Sequence, residues 1–368
     1  MLTRLRKAAL FAAVVFGLFG TQVAFACGGL VAPDGDVRLG RATTLIDWHN
    51  GVEHYMTAFS YQGNEPGVGW IVPLPAVPDS IQPGGQWTFQ RLNIAVQPAT
   101  KNAGVALDAA PTASGATVLQ QVQIEALNIT VIRGSGSQIL EWATQNGFNV
   151  QGDTEAHLLK YAKGSPIFMA AKYDTSAAQS RGQQSGEGVP LLITMKTAHP
   201  WVPLEVLALE DDVNADLYFL SDMPMNTSNF AAVVGASPVG QEVPGAPGMK
   251  VAYQSKLDPT LYHDLSTDRN MSWVRPDSWL TYVTLDTPYT QIYYDLGVSS
   301  DGIIRLAPFG TPPMDVVDKA QTQDPPAWVP LLPVGTAQVA LVVGIFLVLG
   351  LLFFWVLRGR KRPAKAQS

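Results

Sequence analysis

The sequence predicts an α+β fold: a mainly antiparallel sheet ectodomain with two mid-chain packing helices, followed by one C-terminal transmembrane helix. Three observations predict it. Strand-like apolar runs outnumber helical ones along the chain. The two amphipathic helical stretches sit side by side in mid-chain instead of alternating with strands. An apolar run fills 334–357, with a basic cluster directly behind it.

The ends of the chain read first as addresses. Arg4, Arg6 and Lys7 precede an apolar run and the small-x-small triplet Ala24-Phe25-Ala26, the layout of a secretory signal peptide over 1–26. Cleavage would leave Cys27 as the new N-terminus or as a lipid attachment point, although Ala24 stands where lipidated cysteines usually follow a branched aliphatic residue. The run 334–357 is long enough to span a bilayer with some tilt. Arg358, Arg360, Lys361, Arg362 and Lys365 then place the tail 358–368 in the cytoplasm. The expected location is the cell membrane, single-pass, with an extracytoplasmic domain 27–310 on a proline-rich stem 311–333. That domain reads as one unit or as two lobes meeting near 214–250.

Three of the 24 Lys and Arg lie in the signal and five in the tail, while all 30 Asp and Glu lie between, so 27–333 carries a formal charge of −14. Such a surface repels phosphate backbones, and nucleic acid is not an expected partner. The single Cys cannot close an intrachain disulfide, so the core alone must hold the domain.

The elements follow in order. Asn50-Gly51 between two alternating apolar stretches predicts a hairpin of 37–48 with 52–61. The run 68–74, stopped by Pro73, Pro75 and Pro78, reads as an edge strand completing a meander. The stretch 87–92 is helix or strand. The stretch 99–117, poor in large apolar residues, is a loop, and 118–132 is strand-like. Ser137 can cap a helix over 138–146 ended by Gly147, and Asp153 a second over 154–163 ended by Gly164. Strands are expected at 167–173, 191–196, 204–209, 215–220, 282–285 and 291–294, with 231–250 irregular.

Several landmarks occur in a fixed order: Ala26-Cys-Gly-Gly29, Tyr61-Gln-Gly63, Gly69-Trp-Ile-Val-Pro-Leu-Pro75, Leu140-Glu-Trp142 and Asn146-Gly-Phe148. Tyr161 through Phe168 to Lys172, Pro190-Leu-Leu-Ile-Thr and Trp201-Val-Pro-Leu204 continue the series. Together they resemble a bacterial family of exported or membrane-anchored proteins, the domain-of-unknown-function family numbered 2330. The resemblance covers roughly half the chain. It implies a location and a fold; the family's activity is uncharacterised and supplies no catalytic residues.

A two-residue loop at Asn50-Gly51 sets His49 opposite Val52, Trp48 opposite Glu53 and Asp47 opposite His54. Asp47, His49 and His54 then share a face and form a candidate transition-metal set. Asp212, Asn214 and Asp216 match the first three ligands of a calcium loop, with Leu217 and Met223 at its glycine and glutamate positions. Arg133-Gly-Ser-Gly-Ser137 reads as a capped strand-to-helix turn more readily than as an anion cradle. Trp273 and Trp279 are a candidate aromatic platform for a ligand. No Gly-x-Ser-x-Gly, His-Glu-x-x-His or Cys-x-x-Cys occurs.

No cofactor is required by these patterns, with a transition metal or calcium as the ions the candidate sets would take. The expected function is a non-enzymatic binding or interaction module of the bacterial cell envelope, with an envelope protein or ligand as partner. The alternatives are a metal- or ligand-dependent enzyme using the Asp47/His49/His54 face and an accessory subunit of a membrane complex.

Overall fold

A computed structural model describes residues 29–31, 38–39, 42–58, 61–62, 69–96, 117–124, 127–148, 150, 152–173, 190–208 and 212–308. Its first strands are β1 (Gly29–Val31), β2 (Arg38–Leu39), β3 (Ala42–His49), β4 (Val52–Ala58), β5 (Tyr61–Gln62), β6 (Gly69–Pro73) and β7 (Pro78–Pro83). Helix α1 (Thr88–Val96), β8 (Thr117–Ile124), β9 (Leu127–Arg133), α2 (Gly136–Gln145), α3 (Gly152–Gly164) and β10 (Ile167–Tyr173) follow. Then come β11 (Leu191–Lys196), β12 (Trp201–Val202), β13 (Val213–Ser221), α4 (Asn229–Val234), β14 (Met249–Lys256) and α5 (Pro259–Ser266). The last described strands are β15 (Trp279–Thr287), β16 (Tyr294–Val298) and β17 (Ile304–Pro308).

The predicted hairpin lies in the middle of a seven-stranded sheet ordered β14-β15-β13-β3-β4-β11-β7. Its register is the one expected, with Asp47 opposite His54, Trp48 opposite Glu53 and His49 opposite Val52. The turn holds because Asn50 and Gly51 both take positive φ, 49° and 80°, the pair of values a type I′ turn needs. On its other side β3 runs parallel to β13, so residues far apart in sequence form one sheet.

Both faces of β3 are buried, and neighbouring residues enter different cores. Ile46 belongs to the larger core, with Tyr55, Trp70, Val131, Trp142 and Phe219. Leu45 belongs to the smaller, with Met56, Leu92 of α1, Tyr218, and Leu261 and Leu265 of α5. The smaller core is thus roofed by α1 and α5. The larger lies against a five-stranded sheet, β1-β6-β10-β9-β8, and takes in α2 and α3. A three-stranded sheet β12-β16-β17 and the ribbon β2-β5 complete the architecture.

The expected fold class is therefore corrected. The molecule is dominated by its sheets and has five α-helices among the described residues, not two. None of them is long and apolar enough to cross a membrane. The segment 334–357 lies outside the described residues, as do 1–26, Cys27, the stem and the tail.

Local expectations are corrected too. Strand β6 is not an edge: it sits between β1 and β10 in the other large sheet, so there is no three-strand meander. Pro73 ends β6 opposite Phe168 of β10, and the Leu74 N–H that follows reaches the Ile167 carbonyl at 2.9 Å. The stretch 204–209 contains a 3-10 turn, Glu205–Leu207, in place of a strand. Helix α2 starts two residues early because Ser135, not Ser137, forms the capping box with Gln138. Within 231–250 the chain completes α4, capped by the Ser228 hydroxyl on the Ala231 N–H and ended by Gly235 at φ 67°.

Candidate functional site at the hairpin tip

The loop between β11 and β12 clamps the tip. The Thr197 N–H donates to the Gly51 carbonyl at 3.0 Å, and the Trp48 indole N–H donates to the Thr197 carbonyl at 3.1 Å. The Thr197 hydroxyl donates to Glu53 at 2.8 Å. Glu53 is fully buried, and burial pushes its carboxyl up to about 8 despite that bond and a weaker one from the Trp201 N–H.

On one side of the hairpin stands a charge cluster. Asp47 is buried, and the Arg275 guanidinium joins it at 3.1 Å while also pairing with Asp222. His49 Nδ1 lies 2.8 Å from the other Asp222 oxygen, and the Asn50 side chain reaches His49 Nε2 at 2.8 Å. His54 Nδ1 is 3.5 Å from Asp47, and its ring stacks on Trp273 with centroids 4.3 Å apart. Partial burial pushes the Asp222 carboxyl up, but the hydrogen bonds and charge of Arg275 and His49 outweigh it and hold the group below its usual range.

On the other side a pocket of about 50 Å³ opens between three backbone segments. The first is the tip itself with the clamping loop: Trp48 stacks on His199, centroids 6.2 Å apart. The second is the turn after β13, where the Ser221 hydroxyl donates to the Met223 carbonyl at 2.8 Å and Met223 and Met225 line the opening. The third is the turn 299–302. It is tied to the second by the Asn226 N–H on the Gly302 carbonyl (2.9 Å) and the Ile304 N–H on the Asn226 carbonyl (2.8 Å). Gly302, at φ 76°, also leaves room for Met223: a Cβ there would lie 3.3 Å from the methionine Cγ.

The structure thus brings Asp47, His49 and His54 onto one side of the hairpin, as the register expects, but with Arg275 taking the Asp47 and Asp222 carboxylates. Among the described residues no group of three or more His, Cys, Asp or Glu is arranged to hold a metal. Asp212, Asn214 and Asp216 do not form a loop. Asn214 and Asp216 are in β13, and buried Asp216 accepts the Tyr282 hydroxyl. Trp273 and Trp279 serve separate contacts, the first on His54 and the second under the Lys256 ammonium. Asp222, Arg275, His199, Met223 and Met225 were missed by sequence reasoning. Arg275 is 228 positions from Asp47, and nothing local marks the pair. Met223-Pro224-Met225 directly after a strand end was a readable signal for a lined turn.

This geometry defines a sheet-rich protein with a clamped hairpin tip between a charge cluster and a small, largely apolar pocket. The chain belongs to a bacterial family described as "Uncharacterized protein conserved in bacteria (DUF2330)", matched over residues 21–239, in agreement with the resemblance carried by its motifs. No curated protein matches it. Among solved structures it is similar to baculovirus P35, at 9% identity and TM-score 0.34 over 75% of this chain and 92% of that one. A mutated baculovirus P35 after caspase cleavage aligns at 5% identity and TM-score 0.34, over 74% of this chain and 93% of that one. P35 in a caspase-8 complex aligns at 7% and 0.30, over 76% and 93%. Likeness at this level carries no argument about fold or activity.

Proposed function

We propose that the chain is a non-enzymatic binding or interaction module of the bacterial cell envelope. The observation that carries the reading is how the tip's reactive groups are used. Asp47, Asp222 and Arg275 are paired with one another, and His49 and His54 are drawn into the same network. The cluster thereby joins the hairpin to the turn after β13 and to the segment before β15. Large apolar side chains meanwhile stand out of the surface: Phe230 is 73% exposed, Tyr293 64% and Trp87 58%. Exposed aromatics of this size are typical anchors for a partner. The bacterial family and the export signal expected over 1–26 support the envelope as the location.

The test places a photo-crosslinking residue at position 230, 293 or 87 of the full-length chain in intact cells. The expected result is a discrete adduct with an envelope component at one of the three positions, recovered with the envelope fraction. No adduct at any position, or recovery of the chain with the cytosol, overturns the reading.

A further inference from the structure

We propose that two copies of this chain pair through strand β8, edge to edge and antiparallel about a two-fold axis at Val122, joining their five-stranded sheets into one. This edge belongs to the other large sheet, apart from the hairpin tip, and its pairing does not depend on the envelope-module reading.

A sheet edge presents unpaired backbone donors and acceptors, and proteins protect it with short strands, proline, charge or a covering segment. The other edges of this molecule follow that rule. Strands β1, β12, β2 and β5 are two or three residues long. Strand β7 is bounded by Pro78 and Pro83 and carries Asp79, and β17 carries Arg305 and Pro308. Strand β14 carries Lys250 and Lys256. Its outer side is also covered, with the Val251 N–H on the Gln241 carbonyl at 3.0 Å and the Gly240 N–H on the Val251 carbonyl at 2.8 Å. Strand β8 is the exception. It runs for eight residues, TVLQQVQI, without a proline, a glycine or a charge, and among the described residues no strand lies beyond it. A bulge at Leu119 falls at its N-terminal end, and from Gln120 to Ile124 it pairs with β9 residue for residue. Alternate residues of that stretch turn both N–H and C=O away from β9.

Charge selects a second copy as the occupant. The stretch 27–333 carries a formal charge of −14, so two copies repel one another except where charge is absent. About an axis at Val122, that residue faces its own equivalent and Gln120 faces Ile124 of the second copy. Gln121 faces Gln123 of the second copy, and the symmetry repeats the pair. Gln121 and Gln123 are exposed and share the outer face. Each amide both donates and accepts, so the glutamine pairs complement one another across the axis. On the inner face Val122 is only partly buried against the larger core, and the added strand covers it further. The Gln120 amide donates to the Pro78 carbonyl at 3.1 Å and holds β8 to β7 before a second copy arrives. The one carboxylate of β7, Asp79, is paired by Lys196 at 3.3 Å, so that rim adds no uncompensated acid.

The test is sedimentation equilibrium of the full-length chain in density-matched detergent, in a Cys27→Ser background so that no interchain disulfide contributes. The expected mass is that of a dimer. Gln121→Lys with Gln123→Lys sets like charges opposite one another at both symmetry-related pairs, and is expected to weaken dimerisation by about tenfold or more. Gln121→Lys with Gln123→Glu sets opposite charges at the same two pairs and is expected to restore it. Both side chains are exposed, and an unchanged circular dichroism spectrum would show that each variant keeps the subunit fold. A monomeric parent chain overturns the proposal. So does a dimer indifferent to the lysine pair, or a lysine–glutamate variant that pairs as weakly as the double-lysine one.

Discussion

At the scale of single residues, two buried carboxylates of the hairpin do opposite things. Buried Asp47 pairs with the Arg275 guanidinium at 3.1 Å. Asp47→Asn keeps the shape and removes the charge. It is expected to lower stability by roughly 2 kcal/mol in urea denaturation, the usual worth of hydrogen bonds to charged groups. A double-mutant cycle with Arg275→Met should return a coupling of about 1–3 kcal/mol; no coupling would mean the pair is incidental.

Among the described residues Glu53 has no cationic partner, and it sits in the core with its carboxyl raised to about 8. Its neutral form is therefore the one the folded state prefers. The sign follows: its contribution is full below the unfolded value near 4.5 and is lost as pH rises towards 8. The slope approaches 1.4 kcal/mol per pH unit at about the middle of that window. Glu205, raised to about 7 by burial, acts in the same direction, so the wild type is expected to lose stability steadily with rising pH. Glu53→Gln should flatten that dependence relative to the wild type, as read from urea midpoints at pH 5, 6, 7 and 8. Parallel curves for the two proteins would contradict the assignment.

At the scale of elements, the hairpin was the most legible part of the chain. Asn50-Gly51 specifies the turn, the two-residue loop specifies the register, and the register places Asp47, His49 and His54 on one side. A Cβ on Gly51 would meet only the Thr197 carbonyl, at 3.9 Å, so its cost is conformational. Gly51→Ala is expected to destabilise by about 1 kcal/mol, against near neutrality for Asn50→Gly, in thermal melts of both variants.

What stayed hidden were features fixed by distant chain. The parallel pairing of β3 with β13 has no local signature, and neither does the arrival of Arg275 between two carboxylates. Pro73 argued for an edge strand, yet it ends a strand that has partners on both sides, and neither partner is marked by a local signal. Helices α4 and α5 were written in cap residues, Ser228 with Gly235 and Asp258 with Pro259, but surrounding prolines and glycines masked them. The metal expectation rested on Asp47, His49 and His54 sharing a side, and Arg275, far away in sequence, is what occupies the Asp47 carboxylate there.

At the scale of the whole molecule, the central sheet joins the part of the chain matched by the family to the part beyond it. The match ends at residue 239, yet β14 and β15 extend the same sheet next to β13. Without them β13 would become an exposed edge, and α5, which roofs the smaller core over Leu45 and Tyr218, would be missing. A chain ended at residue 239 is therefore expected to fail to fold cooperatively, measured by the loss of a sharp thermal transition. A sharp transition in that truncated chain would show that the matched part is self-sufficient.

At the hairpin tip the Asp47–Arg275–Asp222 network joins the hairpin to the turn after β13 and to the segment before β15. The most direct measurement is thermal unfolding of Asp47→Asn, Arg275→Met and their double variant. The expected result is a lowered melting temperature in each single variant and a double variant that loses less than the sum of the two. Unchanged melting in both single variants, or losses that simply add, would contradict a structural role for the network.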